Sequence, residues 1–220
     1  MRGAPADPAW GWSSVVGRRV SDAITPDQRK ALESLATVVD PETYLAGGVA
    51  IALRLGHRTS RDLDLFTPAD PTTHADAFAN PNLQTTIVGR SDGSLQLEVN
   101  GVPASWLRYR YPMLRPPERI EAIPIPIVSL DDATCMKVSA IAGGAARDFW
   151  DLHAILVRES LSLEQVLALF KRKYATEDIG HVVKSLSYFG DADASPLPKG
   201  LSAAAWTSIK ADFESRVRNL

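Results

Sequence analysis

The chain has 220 residues, of which 45% are hydrophobic and 23% charged, and this composition excludes an intrinsically disordered protein. The length suits one or two domains. The chain has 24 Lys and Arg residues and 26 Asp and Glu residues, so its charge is nearly balanced. The net charge therefore argues neither for nor against nucleic-acid binding, and any basic surface must be local.

The single cysteine and the apolar runs restrict the setting of the protein. Cys135 excludes an internal disulfide and a cysteine-rich zinc site, and we expect it to be a small core residue. No apolar run approaches the roughly 18 residues of a membrane helix, and residues 1–12 lack the apolar stretch of a signal peptide. We therefore expect a protein of the reducing cytoplasm with no membrane partner.

The first part of the chain mixes helix and strand signals. Residues 1–24, rich in Gly, Pro and Ser, predict an N-terminal arm whose two tryptophans are candidates to dock on the body. Thr25 and Pro26 predict a helix start, and the apolar spacing continues the helix over 26–39. The other elements predicted here are strands at 43–46, 61–66, 83–88, 94–99 and 102–109, a short helix at 49–55 ended by Gly56, a short helix within 71–82, and a hairpin turn at Asn100-Gly101.

The second part of the chain is predicted to be helical. The proline-rich segment 111–126 is expected to cross the surface without regular structure. Helices are then predicted from Asp131 or Asp132 to Gly143, and at 147–158, 161–172, 176–189 and 201–218, with Ser162 and Ser202 as caps. The fold class is therefore α+β, with a small mixed-sheet core followed by a helical part.

Two aspartates lie one residue apart in a hydrophobic run that is predicted to be a strand. Because strand side chains alternate faces, Asp62 and Asp64 point the same way, about 6–7 Å apart, and repel each other unless a cation binds. Oxygen ligands suit Mg²⁺, which leaves positions open for water and phosphate oxygens. Alone, such a pair is more typical of a solvated strand face.

A Gly-Gly step precedes these aspartates. At Gly47 and Gly48 the chain turns from strand to helix, which presents backbone N–H groups and the positive end of the helix dipole to an anion. Ser60 could donate to a phosphate oxygen, and Arg58 and Arg61 are nearby cations. A single ligand would account for the aspartate pair, the Gly-Gly step and the serine together. The combination therefore predicts a site for a metal-bound nucleoside triphosphate.

Two motifs carry a family resemblance. The run GGVAIALRLGHRTSRDLDLF resembles the signature of polymerase-β-like nucleotidyltransferases and, more narrowly, of the AbiEii/AbiGii family, toxins of bacterial type IV toxin–antitoxin and abortive-infection systems. The run KVSAIAGGAARDFWDLHAIL, residues 137–156, resembles the lysine helix and the K/R-D-F-x-D-L motif of that family. The resemblance covers residues 25–185. It implies a nucleotidyltransferase core at 25–128 and a helical part at 129–220 that completes the active-site cleft.

The resemblance also implies roles for individual residues. Asp62 and Asp64 are expected to bind the metal, and Lys137, otherwise an ordinary exposed helix charge, to meet the triphosphate or the transition state. Asp148 is expected either to orient Lys137 or to contact the base, the ribose or the acceptor. The resulting sets are a catalytic group of Asp62, Asp64, Lys137 and Asp148 and a nucleotide-binding group of Gly47, Gly48, Ser60, Arg58 and Lys137.

The chain departs from the family pattern at two places. Many polymerase-β-like enzymes carry a third carboxylate as general base on a later strand, where this chain has Ser105. Glu98 on the preceding strand is a weak substitute, more typical of a solvated strand residue. Gly144 stands where the family often has an arginine.

A local basic stretch is a candidate acceptor surface. Arginines alternate with aromatic residues at Arg108, Tyr109, Arg110, Tyr111, Arg115 and Arg119, a composition that can bind phosphates and stack the bases of single-stranded RNA ends. An edge strand with arginines on its outer face is the alternative. Residues 171–173 could extend a basic rim, although a charged helix end is the more ordinary explanation.

The resemblance implies an enzyme that uses Mg²⁺ or Mn²⁺ to move a nucleoside monophosphate from an NTP to an acceptor hydroxyl, with tRNA as acceptor and a separate antitoxin protein as partner. Two alternatives stay open. One is transfer to a protein or an antibiotic-like small molecule. The other is a catalytically weak NTP-binding interaction module, which the absent third carboxylate favours.

Overall fold

The computed structural model describes residues 24–80 and 83–220, so the predicted arm, apart from Ile24, lies outside the described residues. Within this part of the chain, helices and strands mix up to residue 108, and only helices follow from residue 130. This order confirms the predicted α+β class with a helical second part.

A five-stranded mixed sheet organises the first part. The strands are β1 (Tyr44–Ala46), β2 (Leu63–Thr67), β3 (Thr85–Ser91), β4 (Ser94–Val99) and β5 (Val102–Arg108). Their order is β1-β2-β5-β4-β3, in which β2 runs parallel to β5 and every other neighbouring pair is antiparallel. The β4–β5 hairpin turns at Asn100 and Gly101, both with positive φ, as Asn-Gly turns require.

The other regular elements of the described chain are helices. They are α1 (Pro26–Leu35), α2 (Gly47–Leu55), α3 (Leu130–Ile141), α4 (Ala146–Arg158), α5 (Leu163–Tyr174), α6 (Gly180–Ser185), α7 (Gly190–Asp193) and α8 (Ala203–Arg218), together with a 3-10 helix at Pro71–Ala79. The side chains of Thr25, Ser162 and Ser202 accept N-cap hydrogen bonds, as predicted. None of the helices in the described ranges combines the length and hydropathy needed to span a bilayer.

Several predicted elements differ from the structure. The first helix ends at Leu35 rather than at residue 39, because the N–H groups of Thr37 and Val38 bond three residues back and tighten the chain into turns. A similar tightening at Ser187 and Tyr188 ends α6 at Ser185, so the helix predicted at 176–189 is helical only over Gly180–Ser185, and α7 begins after it at Gly190. The segment 111–126 also does more than cross the surface, because Ile123 and Ile125 are buried in the core.

Helices α3 and α4 contribute side chains to both hydrophobic clusters. The first cluster lies against the sheet, and the second lies among α3 to α8. Leu130 and Ala133 of α3 belong to the first cluster, whereas Val138 and Ile141 belong to the second. Helix α3 therefore fixes the helical part against the sheet.

Candidate active site

A cavity of about 370 Å³ opens where α2, β2, α3 and α4 meet. All residues of the predicted catalytic and nucleotide-binding sets line it: Gly47, Gly48, Arg58, Ser60, Asp62, Asp64, Lys137 and Asp148. Positions up to 101 residues apart in sequence thus share one concave surface, the usual form of a small-molecule site. The chemical roles of these residues remain predictions.

Both aspartates line the cavity, Asp64 within β2 and Asp62 one residue before it, because the strand begins at Leu63 and not at residue 61 as predicted. Leu63 and Leu65 are fully buried on the opposite face, so the alternation expected of a strand places Asp64 toward the cavity. Within the described residues, neither Asp62 nor Asp64 has a side-chain hydrogen bond or ion pair. Burial, with a further contribution from Asp62, raises the pKa of Asp64 to about 6, while Lys137 and Arg147 oppose the rise. An incompletely neutralised carboxylate pair of this kind favours cation binding.

The Gly-Gly turn brings the start of α2 against these carboxylates. Ala46, the N-cap residue, provides no side-chain hydrogen bond, so no capping side chain occupies the first N–H groups of the helix. Gly47 has a φ of +65°, and a Cβ there would collide with the Asp64 carboxylate. A Cβ on Gly48 would lie 2.7 Å from Ser60 Oγ. Only glycines leave this cradle open beside the serine and the aspartate.

The Ser60 turn is held from outside the cavity by Gln28 of α1. The buried Gln28 side chain closes the capping box with Thr25 and also donates to the carbonyl oxygens of Ser60 and Arg61, at 2.8 and 3.0 Å. The Ser60 hydroxyl has no hydrogen-bond partner among the described residues. The backbone is thus fixed while the hydroxyl is available to a ligand.

Asp151 is the centre of a buried ionic cluster behind the cavity. Arg58 donates to both of its oxygens, at 2.5 and 2.8 Å, and His57 lies 2.7 Å away. Lys137 Nζ lies 2.9 Å from Asp151 and donates to Asp148 at 2.6 Å. Burial opposes ionisation of Asp151, but the hydrogen bonds from Arg58 and His57 and the charge of Lys137 hold its pKa well below the usual range.

This cluster changes the expected behaviour of Lys137. Burial disfavours its charge, yet Asp151 and Asp148 more than compensate and raise its pKa, so the ammonium is fixed rather than mobile and is not an exposed helix charge. Asp151 was missed because only its position one turn after Asp148 in the second motif marks it. Its partners at 57 and 58 are more than 90 residues away.

Arg147 is a further residue that sequence reasoning left without a role. It lines the cavity, and its charge acts on Asp64. Of the cavity cations Arg58, Lys137 and Arg147, only Arg147 makes no ion pair with a described residue. Its side chain is exposed at the start of α4, where it is available to an anion.

The position of a third carboxylate is occupied by serine. Ser105 of β5 lies abreast of Asp64 and donates to Gln96 at 2.8 Å. Glu98, the weak substitute, pairs with Pro103 farther along the sheet and does not line the cavity. Gly144 has a φ of +71°, and a Cβ there would lie 2.5 Å from Asp191 Cβ, which explains glycine in place of arginine.

In the fold, ion pairs with aspartates neutralise part of the positive charge of the basic stretch. Arg108 pairs with Asp70 and Asp92, and Arg115 pairs with Asp131. Lys173 is completely buried, where it donates to Asp132 at 2.6 Å, so the possible basic rim at 171–173 is wrong for this residue. Arg110 and Arg119 stay exposed.

Comparisons with known proteins identify a family and relatives of the chain. The family described as "Nucleotidyl transferase AbiEii toxin, Type IV TA system" matches residues 30–87 and 77–219. An uncharacterized protein of Aquifex aeolicus (strain VF5) is 36% identical over 173 residues, which cover 76% of this chain and 83% of that protein.

Solved structures share the fold at lower identity. MenT4, a nucleotidyltransferase toxin from Mycobacterium tuberculosis, matches with a TM-score of 0.57 at 20% identity, covering 88% of this chain and 82% of its own. A putative nucleotidyltransferase from H. pylori matches at 0.52 and 18% identity, covering 88% and 93%. The antibiotic-resistance factor ANT(2'')-Ia matches at 0.52 and 18% identity, covering 70% and 96%. The family match spans most of the chain, and this protein is therefore a nucleotidyltransferase that belongs to the AbiEii toxin family of type IV toxin–antitoxin systems.

Proposed function

We propose that this protein transfers a nucleoside monophosphate from an NTP to a hydroxyl of tRNA, with a divalent metal, as the toxin of a type IV toxin–antitoxin pair. The observation that carries this proposal is the cavity itself. In it, a carboxylate pair lies beside a helix start without a side-chain cap and beside Arg147, and neither the carboxylates nor this arginine makes an ion pair with a described residue. These groups complement a metal and a polyphosphate together.

Asp62 and Asp64 are the residues that would hold the metal. Their oxygens suit Mg²⁺ or Mn²⁺, and the pair carries uncompensated charge. Within the described residues, no group of three His, Cys, Asp or Glu side chains could hold a metal, so water and phosphate oxygens would complete its coordination. When bound, such an ion neutralises charge on the phosphates and on the attacking oxygen.

Six groups are proposed to hold the triphosphate. The N–H groups of Gly47 and Gly48 and the Ser60 hydroxyl face the same end of the cavity and would donate to phosphate oxygens. Arg147 would add a cation that makes no ion pair within the part of the chain that the structure describes. Arg58 and Lys137 contribute fixed positive charge, because Asp151 and Asp148 hold both in place.

Asp148 is proposed to position Lys137. Besides Asp62 and Asp64 it is the only carboxylate among the described residues that line the cavity, and Lys137 donates to it at 2.6 Å. Of the two roles open to Asp148, this contact favours orientation of the lysine over contact with the base or ribose.

The test is transfer of label from each radiolabelled NTP to total tRNA in the presence of Mg²⁺. We expect the wild-type protein to label RNA. Asp62→Asn should lower the rate by about 100-fold or more, or about 3 kcal/mol of transition-state stabilisation. The matched control is Glu98→Gln, which also removes one strand carboxylate but lies outside the cavity, and it should retain the wild-type rate.

Other outcomes would contradict parts of the proposal. Transfer by Asp62→Asn at the wild-type rate would remove the metal assignment. Label on a protein or a small molecule, with none on RNA, would replace the acceptor. NTP binding without transfer to any acceptor would favour an interaction module.

A further inference from the structure

Four aromatic rings form a continuous wall at one end of the cavity. Phe66, Tyr109 and Tyr174 line the cavity, and Tyr111 continues the wall to the surface, where it is 53% exposed. Neighbouring ring centroids lie 5.5 Å apart for Phe66 and Tyr109, 5.3 Å for Tyr109 and Tyr111, and 4.8 Å for Tyr111 and Tyr174. We call these four residues the aromatic wall.

The aromatic wall is held in place by contacts behind it. The hydroxyls of Tyr109 and Tyr174 are hydrogen-bonded at 3.0 Å, and Phe170 packs on Tyr174 with ring centroids 4.5 Å apart. The buried Lys173 places its ammonium 5.1 Å from the centre of the Tyr109 ring and donates to the Pro112 carbonyl. The rings are thus positioned before a ligand arrives, and little side-chain entropy is lost when a planar group stacks on them.

The position of the wall along β2 indicates which ligand reaches it. Ser60, Asp62, Asp64 and Phe66 all line the cavity and follow one another along the chain into β2. In the pairing of β1 with β2, Ala46 lies opposite Asp64 and Tyr44 opposite Phe66, so the chain from Ala46 into Gly47 and Gly48 leads away from Phe66. The phosphate cradle and the aromatic wall therefore lie on opposite sides of the carboxylates.

The geometry of phosphoryl transfer indicates which substrate lies on each side of the carboxylates. In such a transfer the attacking and leaving oxygens are roughly in line across the reacting phosphorus. If the leaving pyrophosphate is held by the glycine cradle and Ser60, the attacking hydroxyl must approach from the side of Phe66 and Tyr109. We infer that the aromatic wall binds the acceptor by stacking its terminal nucleobase, with Tyr111 as the outermost ring and the exposed Arg110 beside it for a phosphate.

This inference rests on the proposed function, because it assumes transfer to RNA. Its test uses Tyr111→Ala and, as a control, Tyr188→Ala. Tyr188 is almost equally exposed, at 54%, and lies outside the cavity. Stacking on one aromatic ring changes affinity by about 5- to 150-fold. We therefore expect Tyr111→Ala to raise the KM for tRNA within that range and to leave the KM for NTP unchanged, and Tyr111→Phe to restore the wild-type value.

A binding measurement separates this inference from the proposed function. The probe is a short single-stranded RNA whose 3′-terminal base is 2-aminopurine, a fluorophore that is quenched by stacking. Wild type and Tyr188→Ala should quench it, and Tyr111→Ala should quench it much less, whether or not any nucleotide is transferred. Absence of transfer by the wild-type protein would overturn the proposed function, but the quench would still report the stacking. Equal quenching by both alanine variants, or a rise in the KM for NTP instead of tRNA, would overturn the inference.

Discussion

At the scale of single residues, Asp64 combines partial burial with the negative charge of Asp62 nearby, and burial raises its pKa to about 6. An aspartate in an unfolded chain titrates near 3.9. Between these two values the folded state binds more protons than the unfolded state, so the free energy of unfolding falls as the pH rises through this window. Above pH 6 the ionised carboxylate destabilises the metal-free protein.

The first prediction at this scale concerns Asp64→Asn. At pH 7.5, with a chelator present to remove metal ions, we expect the free energy of unfolding of this variant to exceed that of the wild-type protein by about 2 kcal/mol. The reason is that a neutral amide replaces a partly buried charge. The difference should vanish as the pH falls below about 4, where wild-type Asp64 is protonated in both states. Urea unfolding at several pH values measures it. Asp62→Asn, at an exposed position, should change stability little. A variant that is no more stable than wild type at pH 7.5 would contradict the assignment of Asp64.

The same residues show what sequence could and could not predict. Asp62, Asp64, Ser60 and the two glycines were found from local spacing, since a strand and a helix start place neighbouring residues in known directions. The contacts of Gln28 and Asp151 join positions 32 and 93 residues apart. No local period relates such positions, so these supports became visible only in the fold.

At the scale of elements, two separate features of the structure require glycine at position 47, the first residue of α2. Its positive φ strains any other residue, and its missing Cβ leaves room for the Asp64 carboxylate. Gly101, in the β4–β5 hairpin, shares the positive φ but has open space where a Cβ would be.

These two glycines provide a matched pair of substitutions. Gly47→Ala and Gly101→Ala should each lower the free energy of unfolding by about 1 kcal/mol through backbone strain. Only Gly47→Ala should also reduce transfer to tRNA, by about tenfold or more, since its methyl group displaces Asp64. Unfolding in urea and initial transfer rates measure both effects. Equal activity of the two variants would show that the Gly47 turn does not shape the active site.

Element boundaries were predicted well where a side chain caps the helix and poorly where the backbone alone ends it. Thr25, Ser162 and Ser202 fix their helix starts through bonds to the nearby backbone. The ends of α1 and α6 depend on backbone turns that carry no distinctive residue, so apolar spacing extended both helices too far.

At the scale of the whole molecule, Asp151 of α4 joins the helical part to the sheet part. Its side chain is fully buried and binds His57 and Arg58, which follow α2, as well as Lys137 of α3. Removing one partner from such a cluster leaves buried charges uncompensated. Because ion pairing lowers the pKa of Asp151, its stabilising contribution is present above the unfolded pKa and is lost as the pH falls.

We therefore expect Asp151→Asn to lower the free energy of unfolding at pH 7.5 by about 3 kcal/mol and to abolish most transfer activity. The loss of stability relative to wild type should shrink in acid. Glu177→Gln is the control, since Glu177 pairs with Lys171 on the surface and its loss should leave unfolding unchanged. Thermal or urea unfolding measures both. A stability loss no larger than that of Glu177→Gln would argue against Asp151 as the link between the two parts.

The division into a core at 25–128 and a helical part at 129–220 stays a prediction. Sequence indicated it from the change of pattern near residue 130, and the fold adds that α3 packs in both hydrophobic clusters. The cavity has walls from both sides of that boundary, which no single stretch of sequence could reveal.

The partly buried charge of Asp64 also has an evolutionary consequence. Under the proposed function, a mutation that replaces Asp64 with a neutral residue removes the transfer activity and an electrostatic strain in the same event. In a population where toxicity is harmful, such an allele removes the harmful activity and also encodes a more stable protein. Its product should therefore persist as a well-folded protein rather than being degraded. Inactive copies of this gene should therefore retain an intact fold and differ from active ones first at Asp64.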